Sequence, residues 1–311
     1  MSTPRASVVR GPAIIQYKGQ SLYTKQDFVI TPLLKLGPVA SSMFGTVTHS
    51  VDDFMWQLQF VTDGQLVAGH IPVLWPYAGT YPGTSMFGAA DSDVVIHTKG
   101  GQLITFKAGA VTQMPPLFFG PAETVIGACT MICVGKLASA YNATGKWMEI
   151  ASSAFADTSF DKSLIRKMQY TGAWGTTPWD AFETDIGFKV AFQVSSTPDK
   201  VQGVTNDYIF DDLTATISAL PVAISETQLM AAMSLDDANW QPGAAIDTLT
   251  ENNDFVISGG AGKPSLTLTG CSISSSSMVF GRAKRIGEVT WQSTRTFATG
   301  ALTNLFTLAW S

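Results

Sequence analysis

The chain has 311 residues, 45% apolar, 11% aromatic and 14% charged, with a net charge of −5. This supplies a full core and excludes a disordered chain. It also excludes a basic surface that grips nucleic-acid phosphates, since nine Lys and Arg face eight Asp and Glu in residues 1–155 and ten face sixteen in residues 156–311.

At this length two domains of about 150 residues are expected, and in order the chain reads as two copies. Gln16-Tyr17-Lys18-Gly19 opens the first and Gln169-Tyr170-Thr171-Gly172 the second. Short apolar runs of buried-strand length follow, Phe28–Ile30 and Phe188–Phe192. Next come Asp52-Asp53 and Asp211-Asp212, read as turns or strand starts leading into Phe54–Val61 and Leu213–Leu220. Thr62 with Gln65, and Ser225 with Gln228, have the capping-box spacing that opens a helix. Gly69 and Pro72 are expected to end the first helix, while the second runs slightly longer.

The copies differ most in the following loop. Trp75–Thr84 is aromatic and rich in Gly and Pro, whereas Asp236–Gly243 is shorter. Trp75, Tyr77, Tyr81 and Trp240 are the candidates for contact between chains, because such loops project from rigid scaffolds. Asp93–Ile96 and Asp254–Ile257 each begin a hairpin with a glycine turn. The clearest recurrence comes next: Phe119, Gly120, Ile126, Gly127 and Thr130 return as Phe280, Gly281, Ile286, Gly287 and Thr290. The matches keep their order at offsets from 153 to 163. The chain therefore reads as a tandem duplication: a β domain over 1–152, a linker over 153–168 and an acidic β domain over 169–311.

No group of residues assembles a catalytic or metal site. His49, His70 and His97 are the only histidines and read as surface or strand-edge residues; His49 aligns with Tyr208 and His97 with Ser258. Cys129 and Cys133, four apart in an apolar strand, share one face and read as small buried residues, and with Cys271 they form no disulfide framework. Adjacent carboxylates point to opposite faces of a strand, so neither Asp pair flanks a glycosidic bond. Ser258–Pro264 lacks the first Gly and the Ser/Thr of a phosphate loop. No enzyme and no cofactor is expected. The N-terminus has no apolar signal core and no run of about 18 apolar residues spans a membrane, so folding in a cytoplasm is expected.

The run Gly83-Thr84-Ser85-Met86-Phe87-Gly88-Ala89-Ala90-Asp91, then Val94–Gly101 and Val111–Pro115, resembles the tail tube (major tail) proteins of tailed bacteriophages. So does the closing pattern Phe280-Gly281 with Ile286-Gly287-Glu288-Val289-Thr290. The resemblance implies a mostly β chain of two tandem β-sandwich- or barrel-like domains, each with a short flanking helix. It implies stacked rings of six such domains, hence three chains per ring, whose closure removes exposed sheet edges. The acidic second half fits a lumen that DNA passes without specific binding. The implied partners are further copies of the chain, the tape measure, the tail terminator and baseplate or distal tail proteins, in a virion tail assembled in the host cytoplasm. Under this reading the loop Trp75–Thr84 contacts the next ring or a neighbouring chain. A capsid decoration or distal tail protein, or a β-sandwich module gripping a glycan or protein through Trp75–Tyr81, are the alternatives.

Overall fold

The computed structural model describes residues 13–25, 28–62, 68–87, 93–120, 124–134, 148–152, 170–179, 187–201, 203–221, 225, 228, 242, 253–259, 264–276, 278–280, 284–294, 297–298 and 301–310. The fold is mostly β, in several antiparallel sheets. The first half contributes β1 (Ala13–Tyr17), β2 (Gln20–Tyr23), β3 (Val29–Ser41), β4 (Gly45–Val61), β5 (Thr84–Ser85) and β6 (Val94–Thr98). It continues with β7 (Gln102–Phe106), β8 (Gly109–Gln113), β9 (Leu117–Phe119), β10 (Thr124–Ile126), β11 (Ala128–Val134) and β12 (Met148–Ser152). The second half contributes β13 (Thr171–Trp174), β14 (Thr177–Pro178), β15 (Phe188–Val201), β16 (Val204–Ala219), β17 (Asn253–Ser258) and β18 (Pro264–Ser275). Then come β19 (Met278–Phe280), β20 (Lys284–Ile286), β21 (Val289–Ser293), β22 (Phe297–Ala298), β23 (Ala301–Leu302) and β24 (Phe306–Trp310).

Period-two alternation builds these strands. In β16, Leu213, Ala215, Ile217 and Ala219 are buried while Thr214, Thr216 and Ser218 between them are partly exposed. Cys129 and Cys133 both lie fully buried on one face of β11, as the spacing predicts. Phe60, Phe106, Phe119, Phe188, Phe255 and Trp291 belong to one continuous core that runs through both halves.

The pairing network of the first half recurs in the second. β1 pairs β2 and β6, β6 pairs β7, and β7 pairs β12. Correspondingly, β13 pairs β14 and β17, β17 pairs β18, and β18 pairs β24. β3–β4–β11–β8 matches β15–β16–β21 and the far end of β18, so the long β18 takes the place of β7 and β8 together. β9–β10 matches β19–β20.

The register extends to single residues. Lys35 opposes Asp53 and Leu36 opposes Val51, so Asp52 bulges; Ser195 opposes Asp212 and Ser196 opposes Phe210, so Asp211 bulges. The Asp pairs thus mark bulges inside long strands, not turns or strand starts. The pleat continues past them because each bulged carboxylate finds a local hydroxyl, Ser50 Oγ at 2.8 Å for Asp52 and Thr197 Oγ1 at 2.7 Å for Asp211. A proline stands at the same step of each outer strand, Pro38 opposite His49 and Pro198 opposite Tyr208.

Register also corrects the opening match. Tyr17 stands opposite Val94 and Trp174 opposite Phe255, so Trp174 and not Tyr170 is the counterpart of Tyr17. Tyr17 Oη donates to the Gly109 carbonyl and Trp174 Nε1 donates to the Cys271 carbonyl, both at 2.9 Å. Those carbonyls sit opposite Cys133 and Ser293 in the matching strands.

In the first half, residues 68–70 form a 3-10 turn and Ile71–Leu74 the short helix α1. Pro72 lies in the first turn of α1, where proline is tolerated because the N–H it lacks has no helical partner; the helix expected to open at Thr62 and Gln65 falls on residues 63–67, outside the described residues. In the second half the capping box forms: Gln228 N donates to Ser225 Oγ at 3.1 Å and Ser225 N donates to Gln228 Oε1 at 2.7 Å. Gln65, Gly281, Trp240 and the linker 153–168 lie outside the described residues.

Candidate assembly interface

The outer part of the β3–β4 hairpin carries large apolar side chains that no other described residue covers. Leu34, Leu36, Val39, Met43, Phe44, Val47 and Val51 are 45–82% exposed, with Met43 and Phe44 at the tip most open. Single exposed apolar residues are ordinary, but a contiguous apolar arm marks a contact surface. β3 is also an edge strand among the described residues, with one free row of backbone groups.

The equivalent hairpin, β15–β16, is covered by the first half at its base. β9 adds to the edge of β15, with Phe188 opposite Phe119 and Val190 opposite Leu117. β5 adds to β16, and the amides of Gly83 and Met86 donate to the carbonyls of Phe210 and Tyr208 at 2.8 Å. Asp53 reaches across from β4. It accepts from the Thr205 amide at 3.1 Å, the Thr205 hydroxyl at 2.6 Å and Lys200 Nζ at 3.2 Å. Burial alone would raise the Asp53 carboxyl, but the two Thr205 donors and the Lys200 ammonium outweigh it and hold it below the ordinary carboxylate value. The eleven-stranded sheet consequently contains β9, β10 and β5 of the first half together with the second-half strands.

The aromatic loop belongs to this internal joint. Trp75 and Tyr77 are only 2% and 5% exposed. Trp75 Nε1 donates to the Pro115 carbonyl at 2.9 Å, and Tyr77 Oη donates to the Val111 carbonyl at 2.7 Å. The Tyr77 ring stacks on Phe210 with centroids 5.3 Å apart. Their surface is consumed inside the chain, so of this loop's three candidates only Tyr81, 47% exposed, faces outward. Even Tyr81 is engaged, its hydroxyl accepting from the Leu302 amide at 3.0 Å. The hydrogen bonds of Trp75 and Tyr77 stay within the first half, while the Tyr77 ring and the Tyr81 hydroxyl reach the second half at Phe210 and Leu302.

The recurring motif residues are structural. Phe119, Ile126 and Thr130 are buried, and Thr130 Oγ1 is hydrogen-bonded to Gln113 Oε1 at 3.1 Å. Gly127 donates to the Pro116 carbonyl at 2.8 Å, and a Cβ there would overlap the Pro116 ring. In the second half the backbone registers Phe280 against Lys284 and Ile286 against Met278, Gly287 follows that strand, and Thr290 stands opposite Ser218. His49 is exposed and His97 lies in β6, as expected, but His70 is buried beside α1. Burial pushes the Cys271 thiol up to about 12 and the other two thiols higher still, which leaves all three unreactive at neutral pH. Among the described residues no three His, Cys, Asp or Glu side chains gather to hold a metal, and no helix is long and apolar enough to cross a membrane.

No family model matches the sequence, and no curated protein does. Among solved structures the chain is similar to one from the extended-state sheath–tube complex of an extracellular contractile injection system (PVC). The identity is 11%, the alignment covers 46% of this chain and 90% of that one, and the TM-score is 0.30.

Proposed function

We propose that the chain is a structural protein that polymerises with copies of itself into the stacked rings of a bacteriophage tail tube. The observation that carries this reading is the apolar arm of β3–β4, a surface that water disfavours and that a further copy would cover. The residues resembling tail tube proteins, Gly83–Asp91 and Val94–Gly101 among them, support the same assignment. The matching pairings and bulges of the two halves support two copies of one tube domain, so that three chains supply the six domains of a ring. Ring closure would also cover the free edge of β3.

The cleft of about 630 Å³ between the halves is lined in part by the amides and hydroxyls of Gln57, Gln113, Thr130, Gln193 and Thr214. These groups offer phosphate no cation, which suits a surface that DNA slides past. Electron microscopy of the purified protein, with mass from light scattering, tests the proposal. Hollow rings or tubes of three chains per layer are expected; a chain that stays monomeric at all accessible concentrations overturns it.

A further inference from the structure

We infer that the next copy of the chain completes the β3–β4 hairpin: its β19 adds to the free edge of β3, and its Asp212 binds Thr46. This contact rests on the self-assembly reading above and specifies its atoms. The warrant is internal. Within one chain the first half docks on the second-half hairpin through β9, β5 and Asp53, and for β9 and Asp53 the second half holds counterparts in register, β19 and Asp212.

The positions follow from the pairings. Gln57 opposes Ile132 and Thr216 opposes Gln292, which places Thr31 of β3 level with Ala191 of β15. Phe28, Val29 and Ile30 then correspond to Phe188, Lys189 and Val190, the three residues that receive β9. β19 corresponds to β9, because β19–β20 has the same three-step register as β9–β10. Among the described residues β19 pairs only β20, and β3 pairs only β4. Both edges are open, and the internal joint fixes their register: Phe280 opposite Phe28, Val279 opposite Val29, Met278 opposite Ile30.

Burial differs between the hairpins wherever the docked half is missing. Phe188 and Val190 are fully buried under β9, while Phe28 and Ile30 remain partly exposed. Phe210 is fully buried and its counterpart Val51 is 61% exposed. Thr205 is 1% exposed and its counterpart Thr46 is open. On the carboxylate side Asp53 is buried, whereas Asp212, one residue past the same bulge, is exposed. A Thr46 left open and an Asp212 carboxylate left exposed thus lie on one molecule, on different surfaces. A contact of this kind joins copies head to tail, closing into a ring when the rotation allows.

Paired cysteines test the contact. In the chain carrying both Thr46→Cys and Asp212→Cys, mild oxidation should link successive copies, giving a ladder on non-reducing gels that ends at the ring size. Either single variant should stop at dimers. The native thiols are buried, so they should not contribute. As a second measurement, Asp212→Asn should raise the assembly concentration about tenfold, the loss of charge-assisted hydrogen bonds at a covered site. Asp211→Asn makes the same charge change and should leave it unmoved, because its counterpart Asp52 turns back onto Ser50 of its own hairpin. Rings or tubes that form with no ladder, and with Asp212→Asn and Asp211→Asn alike, overturn this contact and leave the tube reading standing. A chain that forms neither ladder nor ring overturns both.

Discussion

At Lys18 the backbone enters the left-handed region with φ 47°, followed by Gly19 at 74°. Two positive angles in succession make the primed turn that matches the twist of a hairpin, and side chains other than Asn, Asp or Gly disfavour it. The second half carries glycine at the matching step, Gly175, at φ 57°. Lys18→Asn should therefore stabilise the chain by about 1 kcal/mol, read as a higher urea midpoint at unchanged slope; an unchanged or lower midpoint would show that the turn relaxes around lysine. Asp53 sets a second expectation, in pH. Its folded value lies below the ordinary carboxylate value of about 3.9, so it contributes stability above that pH and loses it as pH falls through the folded value. Lys200 is 41% exposed, so the ion pair adds little and the Thr205 hydrogen bonds carry the effect. Unfolding measured from about pH 6 downward should show the joint between halves intact to about pH 4 and weakening below it. A drop complete by about pH 5 would assign the transition to another group.

Between elements, the join of β9 to β15 turns on Gly187. It sits at φ 67°, and a Cβ there would overlap the Phe119 carbonyl oxygen. Gly187→Ala should cost about 3 kcal/mol, combining a disfavoured angle with a backbone clash that cannot be moved aside. Because the loss falls at the joint, urea unfolding should split into two transitions; a single transition at the parent midpoint would show that β9 does not hold the halves together. At this scale the sequence was legible where pattern is local. The β6–β7 hairpin, the one-faced cysteines of β11 and the Ser225–Gln228 capping box all follow from spacing within a few residues. The long hairpins were not legible. Pro32 and Pro38 lie inside β3, where proline is disfavoured in a central strand, yet an edge strand can carry proline wherever its missing N–H would face outward. The arm over residues 34–52 is exposed or partly exposed throughout, so its short apolar–polar alternations mark no buried face of this chain. Tyr170 was matched to Tyr17 by its neighbours' letters, and only pairing with β6 and β17 shows that Trp174 fills that role.

For the whole molecule, the two hairpins share geometry and differ in polarity. Leu36, Val39 and Val47 of the first stand where the second has Ser196, Asp199 and Asn206, and the apolar tip Met43-Phe44 faces a shorter turn at Gly203. Among the described residues only the first half therefore presents an apolar arm, so a ring of three chains would make three such contacts with its neighbours and not six. The tip is the place to test this, since Met43 and Phe44 are 82% and 78% exposed and hold up nothing within the chain. Replacing both with serine should leave monomer stability within about 0.5 kcal/mol. Removing their burial from a contact should cost roughly 3 kcal/mol or more, which raises the assembly concentration about a hundredfold. Light scattering over a concentration series, beside urea unfolding of the same variant, separates the outcomes. Assembly at the parent concentration would mean that the arm stays in water within the tube, and the apolar surface would then need a partner other than this chain. A fallen unfolding midpoint would mean instead that the tip packs against its own chain, contrary to its exposure.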